Sequence, residues 1–93
     1  MNRDTETPNA LRIDRLDNVV IVLEPIPVGG TVRWAKGRAV VARSAVPIGH
    51  KVASEAISAG EAIRKYGYAI GTAGEEISSG DWVHTHNVSA KEE

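Results

Sequence analysis

"IPVGGTV", residues 26–32, is the stretch on which the fold depends. It places an aliphatic residue at Ile26, glycine three positions later at Gly29, and a second aliphatic three after that at Val32. The same spacing returns as Val46, Gly49 and Val52 in "VPIGHKV", as Ile57, Gly60 and Ile63 in "ISAGEAI", and as Ile77, Gly80 and Val83 in "ISSGDWV". A glycine flanked in this way supplies a positive φ or a close backbone approach, and the aliphatics anchor the turn to a core. Each unit therefore reads as a tight turn feeding a strand. Pro27 and Pro47 stiffen the first two units by fixing φ. Ile26 lies 31 positions before Ile57, and Val46 lies 31 before Ile77. That constant displacement points to two similar halves related by a pseudo-two-fold.

The segments between the turns read as strands. "ALRIDRL" (10–16) alternates Leu11 and Ile13 against Arg12 and Asp14, as a half-buried strand does. "NVVIVLE" (18–24) is continuously apolar, the mark of a strand covered on both faces. "RAVVAR" (38–43), "YAIGTA" (68–73) and "WVHTHNV" (82–88) are read as three more strands. "ASEAIS" (53–58) has room for one helical turn. Residues 1–9 and 89–93 read as a frayed polar leader and tail around one domain spanning 10–88.

The totals agree with a small β domain. A chain of 93 residues buries roughly 60–65% of its unfolded surface, enough for a modest core. Phenylalanine is absent and the aromatics are Trp34, Tyr66, Tyr68 and Trp82, so Val, Ile, Leu and Ala must build that core. The formal net charge of −1 gives no electrostatic reason to expect nucleic acid or an anionic membrane surface as partner. The absence of cysteine removes disulfides, thiolate metal sites and cysteine nucleophiles. The first residues carry no apolar core of a signal peptide, and no run is long enough to span a membrane as a helix. A cytoplasmic protein is expected.

Chemistry-bearing residues are few. On an extended "WVHTHNV", Trp82, His84 and His86 share one face, with Cα atoms of the two histidines about 6.5–7 Å apart. Imidazoles so placed can converge on one metal ion, and His50 is the remaining histidine for a third ligand. A solvated terminal strand carrying polar residues explains the same pattern, and His50 in "IGHK" also reads as an ordinary turn residue. Spacing does not choose between them. Arg64 and Lys65 beside Tyr66 form a basic pair that could grip a carboxylate, or be an exposed pair on a loop. No nucleophile elbow, phosphate-cradling loop or paired-carboxylate signature accompanies them.

Taken in order, "LDNVVIVLEPIPVGGTV", "VPIGHKVA", "AISAGEAIRKYGYAIGTA" and "ISSGDWVHTHNV" resemble the N-terminal domain of altronate and galactarate dehydratases over roughly residues 11–88. That domain belongs to the SAF group, together with type III antifreeze proteins and the C-terminal domain of sialic acid synthases. The resemblance implies a mostly β, SAF-type β-clip fold with short strands, glycine turns and at most one or two single-turn helices. It implies a hydro-lyase that converts sugar acids to 2-keto-3-deoxy acids with Fe(II) or Mn(II), the metal being shared with a large subunit. The same small subunit occurs in (2R)-sulfolactate sulfo-lyase, and a non-catalytic ligand-binding or assembly module is the third alternative. Carried onto this sequence, the resemblance makes His84 and His86 candidate catalytic residues and His50, His84 and His86 candidate metal ligands. Lys65, Tyr66 and Asn87 become candidate substrate contacts. The expected partners are a large dehydratase subunit and a small sugar acid, with a homo-oligomer left open.

Overall fold

The computed structural model describes residues 7–89, and within them the chain is built of strands with no helix. Nine short strands follow one another: β1 (Ala10–Leu11), β2 (Val19–Val22), β3 (Thr31–Ala35), β4 (Arg38–Val41), β5 (Lys51–Ala53), β6 (Ala62–Lys65), β7 (Tyr68–Ala73), β8 (Trp82–Val83) and β9 (Val88–Ser89). They form three antiparallel sheets, ordered β1-β2-β5-β8, β3-β4 and β6-β7-β9. This is the mostly β fold with glycine turns that the sequence implies.

The repeat is the frame of the molecule. Its four glycines all take positive φ: 83° at Gly29, 85° at Gly49, 88° at Gly60 and 92° at Gly80. Its eight aliphatics are all buried. Units pair within each half, through a bridge of Ile26 with Val46 and another of Ile57 with Ile77. Backbone bonds repeat with the same displacement: Gly29 N–H donates to Ala42 O and Gly60 N–H to Ala73 O, both at 2.8 Å. Likewise Gly49 N–H donates to Val22 O and Gly80 N–H to Ala53 O, again both at 2.8 Å. Each half encloses its own core. Ile26, Val32, Val46 and Val52 belong to one, and Ile57, Ile63, Ile77 and Val83 to the other.

The apolar run in β2 has a direct cause. Val20 and Val22 enter the first core while Val19 enters the second, so the strand is covered on both faces. β5 does the same, with Val52 in the first core and Ala53 in the second. Full burial of each such side chain contributes about 1.5–3 kcal/mol, which makes these two strands the seam between the halves.

Several local expectations are corrected. The strand expected over 10–16 ends at Leu11, because a turn fastened by Asp17 and Asp14 follows: Asp17 Oδ2 accepts from Asp14 N–H at 3.0 Å and Asp14 Oδ1 from Leu16 N–H at 2.9 Å. The helical turn expected over 53–58 is absent, since Ile57 is held extended in its bridge to Ile77 and tertiary pairing overrides local propensity. The strand expected over 82–88 is interrupted by a turn at 84–87, leaving β8 and β9 on either side. The strands that the first three glycine turns were read as feeding are β3, β5 and β6. Of the leader and tail, residues 1–6 and 90–93 lie outside the described residues. Asn9 is tied to Arg33 in both directions, by its own N–H to Arg33 O at 2.9 Å and by Arg33 N–H to Asn9 Oδ1 at 2.8 Å. Ser89 pairs with Thr72 in the third sheet.

Candidate functional site

The histidine segment owes its shape to Asn87. Its carboxamide is buried, 3% exposed, and works inward: Oδ1 accepts from His84 N–H at 2.9 Å and Nδ2 donates to Trp82 O at 2.9 Å. The backbone closes the same turn, with Asn87 N–H donating to His84 O at 3.0 Å. Asn87, expected to touch substrate, is instead the clasp of the turn that presents the imidazoles. A carboxamide with both ends engaged inside the chain has little left to offer a ligand.

The turn gathers rings that an extended strand would only have aligned. The His84 imidazole stacks on the Trp82 indole with centroids 5.0 Å apart and planes 10° apart. His50 tilts against both, 5.6 Å from Trp82 and 5.2 Å from His84. His86 leans on Trp82 at 5.8 Å and is exposed. His50 arrives from the turn preceding β5, and β5 lies beside β8. At the equivalent place, units three and four carry carboxylates that close their own turns. Glu61 Oε1 accepts from Ser58 N–H at 2.6 Å, and Asp81 Oδ2 from Ser78 N–H at 2.8 Å. Units one and two carry Gly30 and His50 there instead.

One hydrogen bond decides how His50 can act. The Trp82 indole Nε1–H donates to His50 Nδ1 at 3.2 Å. An indole nitrogen only donates, so Nδ1 is the acceptor and the neutral ring carries its proton on Nε2. A metal-ligating imidazole has the opposite arrangement, with its lone pair on the metal and its other N–H donated to an acceptor. His50 therefore does not fit the ligand role expected of it; it is a hydrogen-bond donor. Among the described residues no group of three or more His, Asp or Glu side chains converges to hold a metal ion. His84 and His86 can supply two imidazoles, and two ligands do not make a site.

Beside the rings lies a cavity of about 360 Å³ lined by Lys51, Ile70, His84, Thr85 and Val88. Lys51 is opposite Val83 in the β5–β8 register and opposite Ile21 on its other side. Its pKa is lowered from 10.5, chiefly because burial penalises the ammonium and further because the Lys65 ammonium is near. The unfolded chain then holds this proton to higher pH than the folded chain. Stability consequently rises with pH across a window just below 10.5, and the penalty is fully present below that window. Lys51→Met should flatten this rise, read as the difference between urea midpoints at about pH 8 and about pH 10 for the two proteins. An unchanged slope would mean that Lys51 does not carry the effect.

Lys65 and Tyr66 form the tip of the β6–β7 hairpin, with Lys65 Nζ 4.9 Å from the Tyr66 ring centroid. Tyr66 is held at φ 60° and Gly67 at 80°, the left-handed pair that a tight hairpin requires. Asp17 holds the tip in place: its buried carboxylate accepts from Tyr66 N–H at 3.1 Å and from Gly67 N–H at 2.7 Å. Asn18 adds two more ties, accepting from Arg64 N–H at 2.8 Å and donating to Ala62 O at 3.0 Å. Asp17→Ala strands these donors and should cost about 2–3 kcal/mol in chemical denaturation. A loss below about 0.5 kcal/mol would mean that water replaces the carboxylate.

The structure thus packs His50, His84 and the exposed His86 around Trp82, sets His84 and Lys51 on one cavity with Lys65 near Lys51, and withdraws Asn87 into the frame. Lys51 escaped the sequence reading. Its signal was available in the repeat, where Lys51 takes the place that Trp82 holds one half later. A lysine where the other half sets an aromatic marks a position freed from core duty.

Comparison with known proteins places the chain. Residues 8–91 match the family model of the altronate/galactarate dehydratase SAF domain. The altronate dehydratase of Bacillus subtilis is 35% identical over 77 residues, covering 83% of this chain and 15% of that protein. The altronate dehydratase of Escherichia coli is 38% identical over 77 residues with the same coverage of 83% and 15%. The (2R)-sulfolactate sulfo-lyase subunit alpha of Paracoccus pantotrophus is 44% identical over 50 residues, 54% of this chain and 75% of that subunit. This chain matches only 15% of the length of the first two relatives. No helix among the described residues is long and apolar enough to cross a membrane. With a family match across nearly its whole length, the chain belongs to the altronate/galactarate dehydratase SAF domain family, a lyase-related family.

Proposed function

We propose that this chain is the small subunit of a two-part hydro-lyase acting on sugar acids of the altronate or galactarate type, giving 2-keto-3-deoxy acids in the cytoplasm. The observation that carries the reading is the cavity edged by His84 and Lys51, beside three mutually packed rings. Its family match and its likeness to a protein named as subunit alpha of a sulfo-lyase support a large subunit that supplies the rest.

Elimination from a 2,3-dihydroxy acid removes the proton on the carbon next to the carboxylate and expels the neighbouring hydroxyl, which leaves with a proton as water. The resulting enol returns to a 2-keto acid. In this proposal Lys65 adds positive charge on the side where the carboxylate binds, and His84, at the cavity wall, exchanges a proton with the reacting carbon or the leaving oxygen. Trp82 keeps His50 in the tautomer that donates through Nε2–H. Fe(II) or Mn(II) would supply Lewis acidity when bound; its ligands would come mainly from the large subunit, with His86 the imidazole this chain could add while His84 moves the proton.

A second reading has its own support in the 44% identity to a sulfo-lyase subunit alpha of which the match covers 75%. There sulfite leaves in place of hydroxide. The test of both is to recover the partner from the source cell, reconstitute the complex, and assay altronate, galactarate and (2R)-sulfolactate with Fe(II) or Mn(II). Water loss from a sugar acid supports the first reading, and sulfite release supports the second. A stoichiometric complex inactive on all three acids would favour a non-catalytic binding or assembly module.

A further inference from the structure

Lys51 occupies a position no neighbouring charge accounts for. It lies in the middle of the four-stranded sheet between β2 and β8, next to the buried Val52. Among the described residues the ion pair is Arg43 with Asp81 at 3.2 Å, and the charge acting on Lys51 is another cation, Lys65. None of the cavity's lining residues is acidic, while Thr85 adds a hydroxyl and His84 an imidazole. Ile70 and Val88 make up the apolar remainder. Partly buried cations brought together without a carboxylate are unfavourable for folding, and such arrangements concentrate at ligand sites.

We propose that this cavity is an anion subsite in which the Lys51 ammonium takes the carboxylate or sulfonate of a small hydroxy acid, with Thr85 and His84 as flanking polar groups and Ile70 and Val88 against the carbon chain. The site deepens the lyase reading by assigning the residue that grips the substrate's fixed charge. Lys65, at the hairpin tip, raises the local positive potential without being the principal grip. The subsite also explains why a half-buried lysine is retained where an apolar residue would suit the fold better.

The test is a titration of the isotope-labelled 93-residue chain with altronate, (2R)-sulfolactate and uncharged glycerol, followed by NMR. Saturable shifts at Lys51, His84 and Thr85 are expected with both acids, weakened by added salt, and none with glycerol. Lys51→Met should lower the affinity at least about tenfold, Lys51→Arg should retain it within about threefold, and Lys65→Met should cost no more than about threefold. The Lys51→Met spectrum must show the native dispersion, so that loss of binding is not loss of fold. Shifts confined to other residues, or equal affinity in folded Lys51→Met, overturn the subsite. Turnover by the reconstituted complex that survives Lys51→Met overturns it too while leaving the lyase reading intact. Binding at Lys51 with no turnover of either acid by that complex sinks the lyase reading and leaves the subsite standing.

Discussion

Gly80→Ala is expected to lower the stability of the chain by about 3–5 kcal/mol, whereas Gly49→Ala should lower it by only about 1–2 kcal/mol. Both glycines hold positive φ, 92° and 85°, so both substitutions carry the backbone cost of placing a Cβ in a left-handed turn. The space around them differs. A Cβ on Gly49 meets nothing within 4 Å, while one on Gly80 would run into the Val41 carbonyl oxygen. That oxygen cannot simply retreat, because the adjoining chain is bound back to the turn. Arg43 N–H donates to Gly80 O at 3.0 Å, and Gly80 N–H donates to Ala53 O at 2.8 Å. The alanine thus forces apart the contact between the first half's β4 and the second half's last turn. Against a total of about 5–15 kcal/mol, such a loss leaves little margin. Thermal melts should place Gly49→Ala about 4–15 °C below the parent and Gly80→Ala at least about 15 °C below, or unfolded at room temperature. Equal melting points for the two variants would show that the Val41 contact is not rigid.

That contrast also marks what sequence can and cannot carry. The four-fold aliphatic–glycine spacing is local, so positive φ, buried aliphatics and the displacement of 31 residues between halves were all legible before any coordinates. The packing of Val41 against Gly80 is not local, and nothing in "ISSGDWV" distinguishes its glycine from the others. The extents of β3 and β6 beyond their turns were not legible for a related reason. Arg33, Arg64 and Lys65 interrupt their apolar pattern, and each hairpin carries a register shift, between Arg33 and Ala35 and between Ile63 and Arg64. The histidine run failed in the opposite direction. His-Thr-His alternates as a strand does, but Asn87 can bond backbone groups through its side chain, and that competes with extended pairing. The residue chosen as a ligand contact proved to be the one that shapes the turn. Lys51 was passed over because a single lysine has no periodicity to announce it; only its register opposite Val83 and its burial give it meaning.

The second large effect is the one the proposed lyase reading expects, in turnover by a complex reconstituted with a large subunit. His84→Ala should reduce kcat by about 10²–10⁴-fold, the range of a lost proton-transfer group, and His84→Ala with His86→Ala should add no more than about tenfold. The asymmetry follows from placement: His84 lines the cavity and stacks on Trp82, whereas His86 is exposed, tilts against Trp82 and is not among the cavity's lining residues. Stability should change little in either variant, within about 0.5–1 kcal/mol, since the turn is held by Asn87 and by backbone bonds rather than by the imidazoles. Trp82→Phe separates positioning from packing. It keeps an aromatic face for His84 but removes the Nε1–H donor, so neutral His50 is free to move its proton to Nδ1. Imidazole nitrogen shifts in the folded variant should then report mixed tautomers for His50, where the parent reports the Nε2–H form alone. The same variant should change kcat with little change in KM, because the cavity's charged wall at Lys51 is untouched. A His84→Ala complex that keeps its full rate removes this chain from the proton transfers and leaves it a binding role. A parent chain already showing mixed His50 tautomers would remove the indole lock.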